Sequence, residues 1–104
     1  MNIRILHAPR DLFSKINTTF DEEARAQLVR QNIETYEQVL TVPFGDYTLD
    51  DFYRYTQNED ESWTNKFGFE GRYRSSSVGD VFVIDGKSFM VAGCGFTQLE
   101  GLVA

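Results

Sequence analysis

One cysteine, Cys94, is all that this 104-residue chain carries, so no disulfide can close within it and its core must hold without covalent staples. One histidine, His7, with that cysteine and scattered acids, makes no tetrahedral nitrogen–sulfur set for a metal. The closely spaced Asp46, Asp50 and Asp51 do not follow the calcium-loop pattern. Glycines are present, but not in a cofactor-binding pattern. Gly93-Cys94-Gly95 runs into Phe-Thr-Gln-Leu-Glu rather than a third glycine and a helix, and there is no phosphate-cradling P-loop. We therefore expect neither a metal nor a cofactor. No apolar run approaches the length that spans a bilayer. The opening Met1-Asn2-Ile3-Arg4-Ile5-Leu6 lacks the long apolar segment of a secretion signal, so the expectation is a cytoplasmic protein with no membrane partner. Bases are outnumbered, ten Lys and Arg against sixteen Asp and Glu, for a net charge of −6. Non-specific nucleic-acid binding draws its affinity from phosphate neutralisation and is not expected of such a surface.

Aromatic residues are what the chain has in quantity: nine Phe, five Tyr and one Trp, each bringing a large area to bury. With 41% hydrophobic and 25% charged residues the composition is that of a folded globular chain. Residues 1–104 suffice for a single domain with a core but little to spare.

The negative charge is concentrated. Asp46, Asp50, Asp51, Glu59, Asp60 and Glu61 lie in one window with Arg54 as the only base. Tyr47, Tyr53, Tyr55, Trp63 and Tyr73 are interleaved with them or follow closely. Aromatics among acids suit a protein-binding face, because Tyr and Trp are favoured interface anchors. This reading takes Asp46, Asp50, Asp51, Tyr55, Glu59, Asp60, Glu61 and Trp63 as the contact set, for a partner with a basic surface. The competing reading has the acids solvating a helix and loop while Tyr53 and Trp63 pack the core.

Past this window the sign reverses at Lys66, Arg72 and Arg74. Arg72, Arg74, Ser75, Ser76 and Ser77 offer guanidinium forks and hydroxyls that can hold a phosphate or carboxylate. Alternatively Ser77 and Asp80 bond the backbone in the turn before a strand, and the arginines pair with Glu70 or the acidic helix. Catalysis finds little footing. Cys94 with His7 requires contact and an exposed, activated thiol, and its place between glycines beside an apolar strand suggests a buried one. Asp80 and Asp85 each have a sufficient role in a turn. No catalytic residue is assigned.

The pattern along the chain predicts a first strand over Asn2–Leu6 and a short helical turn after Pro9 through Asp11-Leu12-Phe13. A helix follows, capped by Thr19 with Glu22 three residues on, running to about Gln31 with Ala24 and Leu28 on one face. Ile33–Val42 favours an extended chain. Thr48 caps a further helix to Gln57, with Leu49, Phe52, Tyr53 and Thr56 at helical spacing. Residues 58–70 read as an ordered loop pinned by Trp63, Phe67 and Phe69. Val81–Ile84 is too continuously apolar for a strand with a wet face. Asp85-Gly86 is the preferred pair for a type I′ turn, and Phe89–Ala92 returns from it. Gly93 and Gly95 permit a bend before a last strand, Phe96–Leu99.

Three of these pieces, in this order, resemble the YodL-like family of small domains found mainly in phages, plasmids and conjugative elements. They are the helix Leu49-Asp50-Asp51-Phe52-Tyr53-Arg54-Tyr55 with Asn58, the segment Arg74-Ser75-Ser76-Ser77-Val78-Gly79-Asp80-Val81, and the apolar strand followed by Gly95-Phe96. The resemblance covers roughly the C-terminal 60 residues and implies a mobile-element setting without implying a reaction. The expected fold is α+β: a small, mainly antiparallel, strongly curled sheet with two or three short helices. The expected function is that of a non-enzymatic interaction protein. Its sharper form is an inhibitor of a host nucleic-acid-handling defence complex; the alternative is a ligand- or nucleic-acid-binding module built on the Arg72–Ser77 loop.

Overall fold

Val81–Ile84 is buried at all four positions because it serves two cores at once. In the computed structural model, which describes residues 2–58, 62–68, 73–102 and 104, this strand is the middle one of five. The elements in chain order are β1 (Asn2–His7), α1 (Arg10–Asn17), α2 (Glu22–Asn32), β2 (Glu37–Pro43), α3 (Leu49–Tyr55), β3 (Val81–Ile84), β4 (Lys87–Val91) and β5 (Phe96–Gln98). Short 3₁₀ turns occupy Ile33–Thr35 and Trp63–Phe67. The sheet order is β2-β1-β3-β4-β5, and each neighbouring pair is antiparallel.

Alternate residues of a strand point to opposite faces, and both faces of this sheet are covered. Phe82 and Ile84 join Ile3, Ile5, Leu40, Val42 and Val91 under Phe52 and Trp63. Val81 and Val83 join Leu6, Met90 and Leu99 against Leu12 and Ile16 of α1 and Val29 of α2. The α+β class therefore stands, but the strong curl expected of the sheet does not. Continuous apolarity in β3 reflects helices on one face and α3 with the Trp63 turn on the other, so no closure of the sheet is required to bury it. β2 and β5 remain as open edges. β2 carries an extra residue at Val39, where the pairing steps from Ile5–Leu40 to Leu6–Gln38; such a bulge is one way of blunting an edge.

Turn chemistry explains the rest of the sheet. Asp85 and Gly86 both take positive φ, 52° and 74°, as a type I′ turn demands. Thr48 caps α3 in a reciprocal box: Asp51 N–H donates to the threonine hydroxyl at 3.1 Å, and Thr48 N–H donates to the Asp51 carboxylate at 3.2 Å. The cap of α2 is Asp21, which accepts from Ala24 N–H; Thr19 instead donates its hydroxyl to the Lys15 carbonyl at the end of α1. The buried stripe of α2 runs through Arg25 and Val29 while Ala24 is exposed, a correction to the expected Ala24–Leu28 face. Arg25 is buried because its guanidinium binds Glu22 and the Thr19 carbonyl, which ties the helix start to the preceding loop. Among the described residues no helix is long and apolar enough to cross a membrane.

Candidate functional site

The segment Arg74–Asp80 lies between two sets of polar contacts, one looking inward and one toward α3. Inward, Asp80 is 0% exposed, and its carboxylate accepts four hydrogen bonds from the described residues. Arg74 holds it in a fork, Nη1 to Oδ2 at 2.6 Å and Nη2 to Oδ1 at 2.7 Å. Ser77 N–H donates to Oδ2 at 2.7 Å and Ala8 N–H to Oδ1 at 2.9 Å. The same guanidinium donates to the Ala8 and Ser75 carbonyls and stacks on the Phe13 ring at 4.5 Å. A buried carboxylate is tolerated only when paired and hydrogen-bonded in this way.

Toward α3, Asn58 N–H donates to the Ser75 hydroxyl and the Asn58 amide donates to the Tyr73 carbonyl. Ser76 N–H reaches the Thr56 carbonyl, and Gln57 donates to the Ser76 carbonyl. Trp63, 0% exposed, donates its indole N–H to the Arg74 carbonyl at 2.9 Å. The stretch is thus sewn to β1, α1, α3 and the Trp63 turn. This is what a chain lacking disulfides needs at the point where its N- and C-terminal halves meet.

His7 sits beside the pair. Its Nε2 shares a 3.0 Å hydrogen bond with the Ser76 hydroxyl and lies 3.9 Å from Asp80 Oδ2. Burial pushes the imidazole down to about 4; the Asp80 charge opposes this and the Arg74 charge adds to it. Burial, then Asp80, raises the Tyr36 phenol above its usual range, with Arg74 opposing, and its hydroxyl donates to the Gly79 carbonyl at 2.6 Å. Serine, histidine and aspartate in proximity invite comparison with a hydrolytic triad, but the roles do not match. The carboxylate approaches the ring nitrogen that already meets Ser76, and its oxygens are taken by Arg74; a triad needs the acid on the other nitrogen. Ser76 is itself buried.

These positions revise several expectations. Arg74 pairs with Asp80 rather than with the acidic helix, and Glu70 lies outside the described residues. Ser75 and Ser77 are engaged with Asn58 and Asp80, and Arg72 lies outside the described residues. Trp63 offers a partner nothing to touch, because the ring that packs under the sheet is wholly enclosed. Cys94 is exposed in the β4–β5 bend, contrary to the buried thiol expected there, since Gly93 and Gly95 carry the chain off the sheet. His7 meets Ser76 and Asp80, and no contact joins it to Cys94 among the described residues. Asp80 and Asp85 stand at opposite ends of β3, roughly 16 Å apart by strand rise, too far to work as an acid–base pair.

A different surface gathers the remaining candidates. Tyr47 and Tyr55 are 47% and 40% exposed and meet edge-to-face with ring centroids 5.2 Å apart. Beneath them Phe52 contacts Tyr47, Phe44 and Phe67 at centroid distances of 5.7, 5.4 and 5.8 Å. Asp46, next to Tyr47 in the chain, and Asp50, which lines a cleft with Tyr53 and Phe96, are exposed, and Asp51 is half-buried in its capping role. Glu59, Asp60 and Glu61 follow α3 in the chain but lie outside the described residues. Sequence reasoning named the acids and Tyr55; it missed Phe44, Leu49 and Phe89, which join Tyr47 in lining an apolar cleft of about 340 Å³. The signal available was the helical spacing of Leu49 with Phe52, which marks an apolar face without showing how much of it stays open. Among the described residues no group of His, Cys, Asp and Glu could hold a metal ion. No family model, curated protein or solved structure matches the chain.

Proposed function

We propose that this protein is a small non-enzymatic interaction protein that engages a partner with a basic surface through the acidic, aromatic face of α3 and the loop before it. The observation that carries this reading is the exposed Tyr47–Tyr55 pair, mounted on the buried Phe52, on a stretch of chain whose Asp46 and Asp50 are also exposed. Rings held by a core beneath them lose little freedom on binding, and surrounding carboxylates steer a cationic partner toward them. In its sharper form the protein is a product of a phage or other mobile element, as the resemblance to the YodL-like family suggests. There it inhibits a host nucleic-acid-handling defence complex by placing carboxylates where that complex receives phosphates.

The alternative, an anion or nucleic-acid site at Arg72–Ser77, is the weaker reading because Arg74 already neutralises Asp80 and only a third of its side chain is exposed. The test reverses charge at Asp46, Asp50, Glu59, Asp60 and Glu61 while sparing the capping Asp51. Pull-downs from bacterial lysate at low and raised salt should lose the captured protein on reversal and weaken it with salt. Capture that is indifferent to both removes the acidic face from consideration.

A further inference from the structure

Alongside α3 runs a valley in the sheet face that carries Phe82, Ile84 and Val91. The seven residues of α3 span roughly 10 Å and the five of β4 roughly 16 Å. At the hairpin end Phe44, Tyr47, Leu49, Ile84 and Phe89 line the cleft of about 340 Å³, with Asp85 and Lys87 on its rim. At the other end Asp50, Tyr53, Val91 and Phe96 line a second cleft of about 240 Å³. Phe89 of the first cleft and Val91 of the second are alternate residues of β4, so the two clefts open on the same face of that strand.

We infer that this valley docks an extended segment of a partner protein in which a bulky apolar side chain is flanked by Lys or Arg. The inference rests on the acidic-face reading above and specifies the chemistry of its partner. The apolar side chain fills the cleft between Leu49 and Phe89. The flanking bases meet the exposed carboxylates of Asp85, Asp46 beside Tyr47, and Asp50 beside Leu49; Lys87 is the one base among the lining residues. Charge complementarity selects this occupant. A second copy of a chain of net charge −6 and a nucleic acid would both bring negative charge to a negative rim.

The probe is a blocked pentapeptide, Gly-Arg-Trp-Arg-Gly, titrated into the ¹⁵N-labelled chain and followed by amide chemical shifts. Gly-Arg-Ser-Arg-Gly and Gly-Glu-Trp-Glu-Gly serve as controls. The Arg-Trp-Arg peptide should shift Tyr47, Leu49, Asp85, Lys87 and Phe89 and bind at least five-fold more tightly than either control. Leu49→Gln should remove most of that preference. Asp85→Asn, whose amide keeps the turn because Asn tolerates positive φ, should weaken the Arg peptides alone, with thermal unfolding confirming that both variants fold. Equal binding of the Arg-Trp-Arg and Arg-Ser-Arg peptides, with shifts confined to the acids, overturns the groove and leaves the acidic face standing. No response to either basic peptide overturns both. Equal binding of the Glu-Trp-Glu peptide overturns the choice of a basic partner, and concentration-dependent shifts of the same amides without peptide would assign the valley to a second copy.

Discussion

Replacing Arg74 by Met should unfold this protein more readily than any loss of surface charge could. The substitution keeps much of the side-chain length over Phe13 but removes both arms of the fork on Asp80 and the bonds to the Ala8 and Ser75 carbonyls. Asp80 stays buried with the Ser77 and Ala8 amides as its remaining donors among the described residues. Breaking a buried ion pair from one side costs about 3–5 kcal/mol, against a typical total stability of about 5–15 kcal/mol for a domain. Spread over 104 residues, that loss lowers the melting temperature by roughly 15–25 °C, using the usual unfolding entropy per residue. Urea and thermal unfolding followed by circular dichroism measure both quantities. Arg74→Lys should fall between the two, since an ammonium keeps the charge but cannot span both carboxylate oxygens and a carbonyl together. A loss for Arg74→Met below about 1 kcal/mol, the range of an exposed pair, would refute the view that this contact joins the two halves of the chain.

Two further substitutions probe the same junction from other sides. His7 titrates near 4 in the folded chain and near 6.5 when unfolded, so between those values the unfolded state binds a proton that the folded state refuses. Stability should therefore fall as pH drops through that window, by up to about 3 kcal/mol, and His7→Gln should flatten the dependence relative to the parent when urea midpoints are compared at pH 7, 5.5 and 4. Gly79→Ala meets two obstacles: φ is +91°, and a Cβ would stand 2.6 Å and 2.7 Å from Ile16 Cγ2 and Cδ1. Strain and overpacking together should remove about 2–4 kcal/mol, seen as a drop in the urea midpoint without a change in slope.

What the residues disclosed in advance was local. Asp85-Gly86 names its turn because few residues accept positive φ, and Thr48 names the start of α3 because a cap acts within its own first turn. The strands were legible for the same reason, their apolar content and turn signals lying in short windows, except that the extended stretch expected from Ile33 opens as a 3₁₀ turn and β2 starts only at Glu37. What escaped depended on distance. Arg74 and Asp80 are six residues apart, yet their pairing makes sense only with Ala8 between them in space. Trp63 looked available to a partner because its neighbours in sequence are polar, while its neighbours in the fold are Phe67 and His7. Arg25 broke the apolar stripe expected of α2 because a guanidinium that finds an acid and a carbonyl can be buried as an apolar residue is. The clefts beside α3 draw their linings from residues between Phe44 and Phe96, which no single window contains.

The sheet order also sets a schedule for synthesis. β1 lies between β2 and β3, so it finds one neighbour once Pro43 has been made and the other only when Ile84 has. The roughly 40 intervening residues take a few seconds to emerge at ordinary translation rates. Throughout that interval the nascent chain holds a strand with Ile3, Ile5 and Leu6 and one side unpaired. Ala8 likewise waits for Arg74 and Asp80 to arrive. The strand made before either of its neighbours is thus among the last elements to be paired on both sides.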